Sequence, residues 1–254
     1  MDNYYDIQAL DRAVKGVDAI ICAYSGLPEL HLDGQLLLLR AAERSGVERF
    51  LAAGWNYDWR NISLGDEPIY DAAIAFHAQA SITSTIKPLH IFSGMFVEVF
   101  FGACGQAGFT PRDNGVWDPI NKSMDIYGTG DEEWCFTTES DAGKFGVEAV
   151  THQDAKKGGF ISTCSFRMSL RQVQQVYEQV RGAPVQIFNK GPLSMLQQKA
   201  EEGKNKHGRA GFWNWHVFVF HANCISGVWN LKNDEMPDVE KTSLEKFLEI
   251  YPDV

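Results

Sequence analysis

The stretch Gly16-Val17-Asp18-Ala19-Ile20-Ile21-Cys22-Ala23-Tyr24-Ser25-Gly26, carried on through residues 33–45 to Gly46-Val47-Glu48-Arg49-Phe50-Leu51-Ala52-Ala53-Gly54-Trp55, decides the fold. Its two apolar runs, residues 19–23 and 49–53, are too short for ordinary helices. Neither alternates with polar residues, which is the pattern of parallel strands covered on both faces. Residues 33–45 between them read as an amphipathic helix, with Asp33 as N-cap, a buried stripe within residues 36–42 and Gly46 as a left-handed C-cap. Strand, helix and strand in this order make a right-handed crossover unit of a parallel sheet. Ligands of such sheets sit beyond the carboxyl ends of the strands. Tyr24, Ser25, Gly26, Ala53, Gly54, Trp55 and Asn56 fall there.

Outward from this unit the same reading continues. Asp6 caps a helix over residues 6–15 that leads into the first strand. Beyond Trp55, an aromatic loop precedes an alanine-rich helix at residues 69–81, and Lys87-Pro88 turns the chain into a third strand, Leu89-His90-Ile91-Phe92. Residues 94–101 are too apolar for the surface and are expected to leave the sheet for a second lobe. Residues 102–131 have loop and hairpin composition. A helix is expected to start at residues 137–141, with Phe145, Val147, Ala149 and Val150 on its apolar side. A strand follows at residues 160–164, then a helix at 169–181 capped by Ser169. Residues 197–210 read as an exposed helix or lid, and residues 212–220 form a dense aromatic block. The fold class is therefore α/β, a parallel sheet with helices on both faces and a smaller C-terminal lobe. The expected division is a core of residues 1–101, to which 137–164 return, and a lobe of residues 102–136 and 165–254.

Composition narrows the function classes. A net charge of −10 on 254 residues argues against a general nucleic-acid binder, whose affinity rests on Lys and Arg. No apolar run reaches the roughly 20 residues that span a bilayer. The five cysteines are scattered without a C-x-x-C pair, as in a cytoplasmic protein with reduced thiols. His216 and His221 have no zinc-protease spacing, so no metal site is expected.

Several ordered segments are similar to the NmrA-like and isoflavone-reductase-like branch of the short-chain dehydrogenases. They are the approach Asp2 to Asp18, the turn Ala41-Ala42-Glu43-Arg44-Ser45-Gly46-Val47-Glu48-Arg49-Phe50, the segment Pro88-Leu89-His90-Ile91-Phe92-Ser93-Gly94-Met95-Phe96, and Tyr127-Gly128-Thr129-Gly130 with Thr137-Thr138-Glu139-Ser140-Asp141. The resemblance implies a Rossmann fold that binds NADP, with Tyr24, Ser25, Gly26, Ala53 and Gly54 as cofactor contacts. It places the family's opening strand, glycine-rich phosphate loop and first helix ahead of residue 1, so the chain reads as N-terminally truncated. It also implies an active-site Lys on the helix after Trp55, and that position aligns with Ala73. A Tyr-x-x-x-Lys pair is missing too, because Ile74 stands four residues after Tyr70.

Tyr70 and His77 are the candidate proton donors and acceptors, His77 lying one turn beyond Ala73. The competing reading of both is packing with one satisfied polar group. Trp55, Tyr57, Trp59, Met95, Phe96 and Trp117 are candidate walls for a flat aromatic substrate, with Asn56 as a further substrate contact, against core packing for Met95 and Phe96. Three functions follow: an NADP-dependent reductase of an aromatic or polyketide-like metabolite, a cofactor-independent cyclase, isomerase or dehydratase, or a non-catalytic regulator. The expected partners are a small molecule and a second copy of the chain. The apolar first strand would lack its family neighbour, so its edge is expected to be covered by that copy, by the N-terminal residues, or by the 212–220 block.

Overall fold

A computed structural model describes residues 4–25, 29–103, 109–229, 231 and 235–254. The chain divides into two compact units, residues 1–92 with 143–163, and residues 93–142 with 164–254.

The first unit is built on a parallel four-stranded sheet in the order β1 (Ile20–Ile21), β2 (Phe50–Leu51), β3 (Leu89–Phe92), β8 (Gly159–Ser162). α1 (Ile7–Ala13) starts at Asp6, whose side chain accepts from the Ala9 N–H. α2 (Gln35–Arg44) joins β1 to β2 and α3 (Pro68–Thr83) joins β2 to β3. The side chains on one sheet face meet these two helices: Cys22, Phe50 and Ala52 pack with Leu39, Ala42, Phe76 and Ala80. Each phenyl ring fully buried there contributes about 1.5–3 kcal/mol. On the opposite face lies α5 (Glu139–Thr151), whose Gly146 presses on the sheet: a Cβ there would stand 2.9 Å from the Trp55 ring and 3.5 Å from Leu51. Helices therefore cover both faces. Pro68, fixed at a helix-compatible φ, opens α3.

Three expectations need correction. Asp33 does not cap the helix. The chain is already helical as a π-turn over Leu30–Gly34, Glu29 is helical too, and Asp33 lies inside that turn. The reason is Gln35, fully buried, whose Nε2 donates to the His31 carbonyl at 2.6 Å and whose Oε1 accepts from the Ala53 N–H at 2.9 Å. This bridge holds the extra turn against the end of β2. Second, β1 is covered only in part on its α5 face: a Cβ on Gly146 would lie 3.7 Å from Ile21 Cδ1, yet Ile21 is 41% exposed, and β1 pairs with β2 alone among the described residues. Third, Val147 points outward on α5, while Phe145, Ala149 and Val150 are buried.

The second unit holds two smaller sheets. One places β4 (Met95–Phe96) parallel to β7 (Glu133–Thr137), which pairs antiparallel with β9 (Phe166–Ser169). The other places β5 (Trp117–Asp118) antiparallel to β6 (Ser123–Tyr127), with β10 (Gln186–Gly191) parallel on its far side. Gly94 turns the chain into β4 at φ 70, and a Cβ on it would lie 2.3 Å from the Cys135 carbonyl oxygen, so only glycine fits. α4 (Val97–Phe101) follows β4, and α6 (Leu170–Arg181) begins with a reciprocal capping box of Ser169 and Gln172. α7 (Leu193–His207) buries Leu196 and Ala200 and so is not free along its whole length. The aromatic block forms a short 3-10 turn and α8 (His216–Ile225), which pack on α7 and β7. α9 (Leu244–Ile250), unexpected from sequence, packs on α6. No helix among the described residues is long and apolar enough to cross a membrane.

Candidate functional site

The carboxyl ends of β1, β2 and β3 carry most of the residues singled out in the first unit. Tyr24 leaves β1 half-buried, its ring against the π-turn, where a Cβ on Gly34 would lie 3.2 Å from it. Burial raises the Tyr24 phenol above its ordinary range. Ser25 is exposed, and Gly26 lies outside the described residues. Ala53 is buried, and Gly54 adopts φ 144, a conformation open to glycine. The Trp55 indole folds back across the sheet and donates from Nε1 to the Cys22 carbonyl at 3.1 Å. Asn56 bridges to Phe92, which fastens the loop to the end of β3. Tyr57 is buried beneath that loop. Tyr24, Trp55 and Asn56 are thus gathered along one rim, while Tyr57 lies inside it.

Tyr70 and His77 both lie on α3, at different heights. α3 joins two parallel strands and so runs against them, which brings its first turn nearest the strands' carboxyl ends. Seven residues of helix place Tyr70 about 10 Å nearer that rim than His77. Tyr70 and Ala73 are buried. His77 is half-buried, its Nδ1 3.2 Å from Nε2 of His90 on β3. Trp59, Phe160 and Phe76 surround the pair: Trp59 lies 5.6 Å from His77 and 5.4 Å from His90, Phe160 stacks on His90 at 5.2 Å, and Phe76 lies 6.3 Å from His90. Arg60, held by Asp58, lies over Phe160 at 4.5 Å. Burial, with the neighbouring His77 and Arg60, pushes His90 down to about 3, and burial lowers His77 as well. One proton is shared between two neutral rings in this arrangement. His77 therefore answers first to the packing reading, and its exposed side is what remains for chemistry. His90 was missed from sequence although it shares a strand face with Phe92, a parity that Leu89-His90-Ile91-Phe92 displays. Gln35 was missed because a glutamine among leucines carries no motif.

Met95, Phe96 and Trp117 belong to the second unit. Met95 is buried and Phe96 half-buried in β4. Trp117 is fully buried in β5, against Phe101 at 5.2 Å and Tyr177 at 4.7 Å. In the same unit the buried Glu98 accepts from the Glu139 N–H at the start of α5, and burial raises its carboxyl above the ordinary range. Asp141, fully buried, accepts from Ser165 Oγ and the Thr242 N–H, both at 2.6 Å, so the Asp-containing helix start clasps two distant segments. His221 on α8 is fully buried among Phe109, Tyr127 and Trp134, and neither of its nitrogens has a hydrogen-bond partner among the described residues. Among those residues no group of three or more His, Cys, Asp or Glu is placed to hold a metal ion.

For a dinucleotide, the rim supplies backbone at Ala53 and Gly54 and the aromatic surface of Trp55. It supplies no phosphate cradle. Residues 22–25 and 52–57 contain no Lys, Arg or His, and Gly54 is the single described glycine of these turns. Pyrophosphate binding uses clustered backbone N–H groups at a glycine-rich turn and a helix N-terminus. The described rim residues therefore offer backbone and aromatic surface to the ring end of a dinucleotide and no cationic or glycine-rich contact to its phosphates.

An all-parallel sheet, helices on both faces and a rim of loops at the strand ends define a Rossmann-type α/β protein. This chain belongs to the NmrA-like family, whose model matches residues 2–248. It is 24% identical over 260 residues to bifunctional pinoresinol-lariciresinol reductase 3 of Thuja plicata, covering 97% of this chain and 79% of that one. Its fold is similar to the crystal structures of pinoresinol-lariciresinol and phenylcoumaran benzylic ether reductases, with a TM-score of 0.74, 21% identity, and coverage of 98% and 80%. It is also similar to the leucoanthocyanidin reductase–NADPH complex of Vitis vinifera, with a TM-score of 0.64, 17% identity, and coverage of 98% and 75%.

Proposed function

We propose that this chain is a small-molecule oxidoreductase of the NADP-dependent NmrA-like type, acting on an aromatic or polyketide-like secondary metabolite. The observation that carries the reading is the rim of the parallel sheet, where Gly54 opens the backbone beside the flat faces of Tyr24 and Trp55. Family membership and relatives named as reductases support it. NADPH, when bound, supplies a hydride. The chain's own residues orient the substrate: Trp55 offers a planar wall and Asn56 an amide at the end of β3. Tyr70, in the turn of α3 nearest the rim, is the proposed proton donor to a substrate oxygen, and His77 with His90 is a proposed proton reserve deeper in the unit. Phe96, half-buried in β4, is a proposed substrate contact, whereas Met95 and Trp117 are buried within the second unit. The proposal includes a cytoplasmic location and association with a second copy through the open edge of β1.

The test is conversion of pinoresinol, with NADPH at millimolar concentration, followed by absorbance and product chromatography. NADPH-dependent product is expected. Its absence would overturn the reading. A second reading, proton chemistry without a cofactor, is favoured by Ala73, an alanine where the family resemblance implies a lysine. A redox-neutral product, isomeric with pinoresinol or dehydrated from it, formed equally well without NADPH would select it.

A further inference from the structure

The second unit contains a pair of thiols for which the proposed reduction has no use. Cys135 stands in the middle of β7 and Cys164 in the connection between β8 and β9, and both are buried thiols outside any disulfide. The β7–β9 ladder sets Cys135 opposite Arg167. The Ser165 N–H donates to the Phe136 carbonyl at 2.8 Å and folds the connection back on β7. The Cys164 side chain thereby reaches Cys135, and its thiol donates to the Cys135 sulfur. The Leu231 carbonyl completes the cluster, accepting from Cys135 Sγ at 3.7 Å and from Arg167 Nε at 3.1 Å.

This arrangement gives the two sulfurs different jobs. A thiolate at Cys135 is stabilised by the Cys164 S–H and by the nearby guanidinium, and these outweigh burial and the opposing Glu133 carboxylate, so the Cys135 thiol lies below the usual range. Cys22, which has no such neighbours, is pushed up to about 11 by burial. Cys164 already touches the sulfur that it would resolve. The Arg167 side chain, 24% exposed and 3.8 Å from the Glu133 carboxylate, is the wetted side of the cluster.

We propose that Cys135 and Cys164 form a hydroperoxide-responsive dithiol site. The Cys135 thiolate attacks the terminal oxygen of a hydroperoxide, the O–O bond breaks, and water or an alcohol leaves after taking up a proton. Cys135 is then a sulfenic acid. The Cys164 sulfur attacks it, the S–S bond forms, and the hydroxyl leaves as water with the Cys164 proton. Two electrons pass from the two sulfurs to one peroxide, and a low-molecular-weight thiol reverses the step by exchange. Closure removes the Cys135 bond to Leu231 and ties β7 to the connection before β9.

The full chain, treated with hydrogen peroxide at pH 6, denatured with excess N-ethylmaleimide and digested with trypsin, tests this by mass spectrometry. The expected product is a peptide pair linked through Cys135 and Cys164 that dithiothreitol separates, while Cys22 and Cys224 carry maleimide. Arg167→Gln is expected to slow linkage several-fold at this pH, because the guanidinium is one of the groups that favour the Cys135 thiolate. Cys164→Ser is expected to leave a dimedone-reactive Cys135. Cys135 and Cys164 both alkylated by maleimide, or oxidised no faster than Cys22 and Cys224, would overturn the proposal without reference to any variant.

Discussion

His221 shows what a single buried polar residue costs when nothing answers it. Its imidazole is fully enclosed by aromatic rings, and burial pushes it down to about 3. Its folded pKa lies below the ordinary value near 6.5, so between about pH 6.5 and 3 the unfolded chain binds a proton that the folded chain refuses. Stability is therefore lost as pH falls through that window, and His90, also held near 3, adds to the loss. His221→Phe removes both unanswered nitrogens and is expected to raise stability by about 1–3 kcal/mol at pH 7.5, with a larger gain at pH 5. Urea unfolding at the two pH values measures this, and a lower midpoint for the variant at both would refute it. At the same scale, Tyr70 and His77 can be separated. If Tyr70 donates the proton, Tyr70→Phe lowers kcat by about 10²–10⁴-fold. His77→Gln, which keeps a hydrogen-bonding group beside His90, is expected to cost much less. Equal turnover in wild type and Tyr70→Phe would return Tyr70 to packing.

Among the elements, β1 is the one whose surroundings matter most. It is two residues long, pairs with β2 and leaves Ile21 exposed, while Val17 just ahead of it is 37% exposed. The block at residues 212–220, one of the expected covers, packs on α7 and β7 within the second unit. An apolar strand edge without charge, proline or bulge invites another strand. Association of two copies through β1 is expected at micromolar concentration. Ile21→Lys is the variant of choice, because Ile20 packs into the core beneath α2 whereas Ile21, on the α5 side, is 41% exposed. Light scattering is expected to show a dimer for the wild type and a monomer for Ile21→Lys. A monomeric wild type would remove β1 as an interface.

At the scale of the whole molecule, the first unit has the architecture of a dinucleotide-binding half but lacks phosphate contacts among its described residues. The 254-residue chain is therefore expected to bind NADPH with a Kd near or above 100 μM. A low-micromolar Kd corresponds to about −8 kcal/mol, which needs the phosphate contacts as well as the ring and ribose. Calorimetric titration decides the point, and low-micromolar binding would mean that residues beyond the rim described above cradle the phosphates. The NADPH-dependent assay and this titration are independent, since weak binding still permits turnover at millimolar cofactor.

The sequence by itself determined the parallel strands, the helices joining them and the family, because these are encoded locally. Short unalternating apolar runs, caps such as Asp6 and Ser169, and Pro68 at a helix start act within a few residues of themselves. Strand β3 was legible to its end residues for the same reason. The candidate site was legible only as a set of strand ends. Which residues meet there depended on long-range contacts: Gln35 reaching Ala53 shifted a helix start past Asp33, and His90 claimed the ring of His77. The exposure of Ile21 and Val147 was likewise hidden, since an apolar residue does not say whether a partner covers it. The Cys135–Cys164 pair joins residues far apart in the chain, with no spacing motif. Only the antiparallel register of β7 and β9, with the connection folded back by Ser165, brings the two sulfurs together.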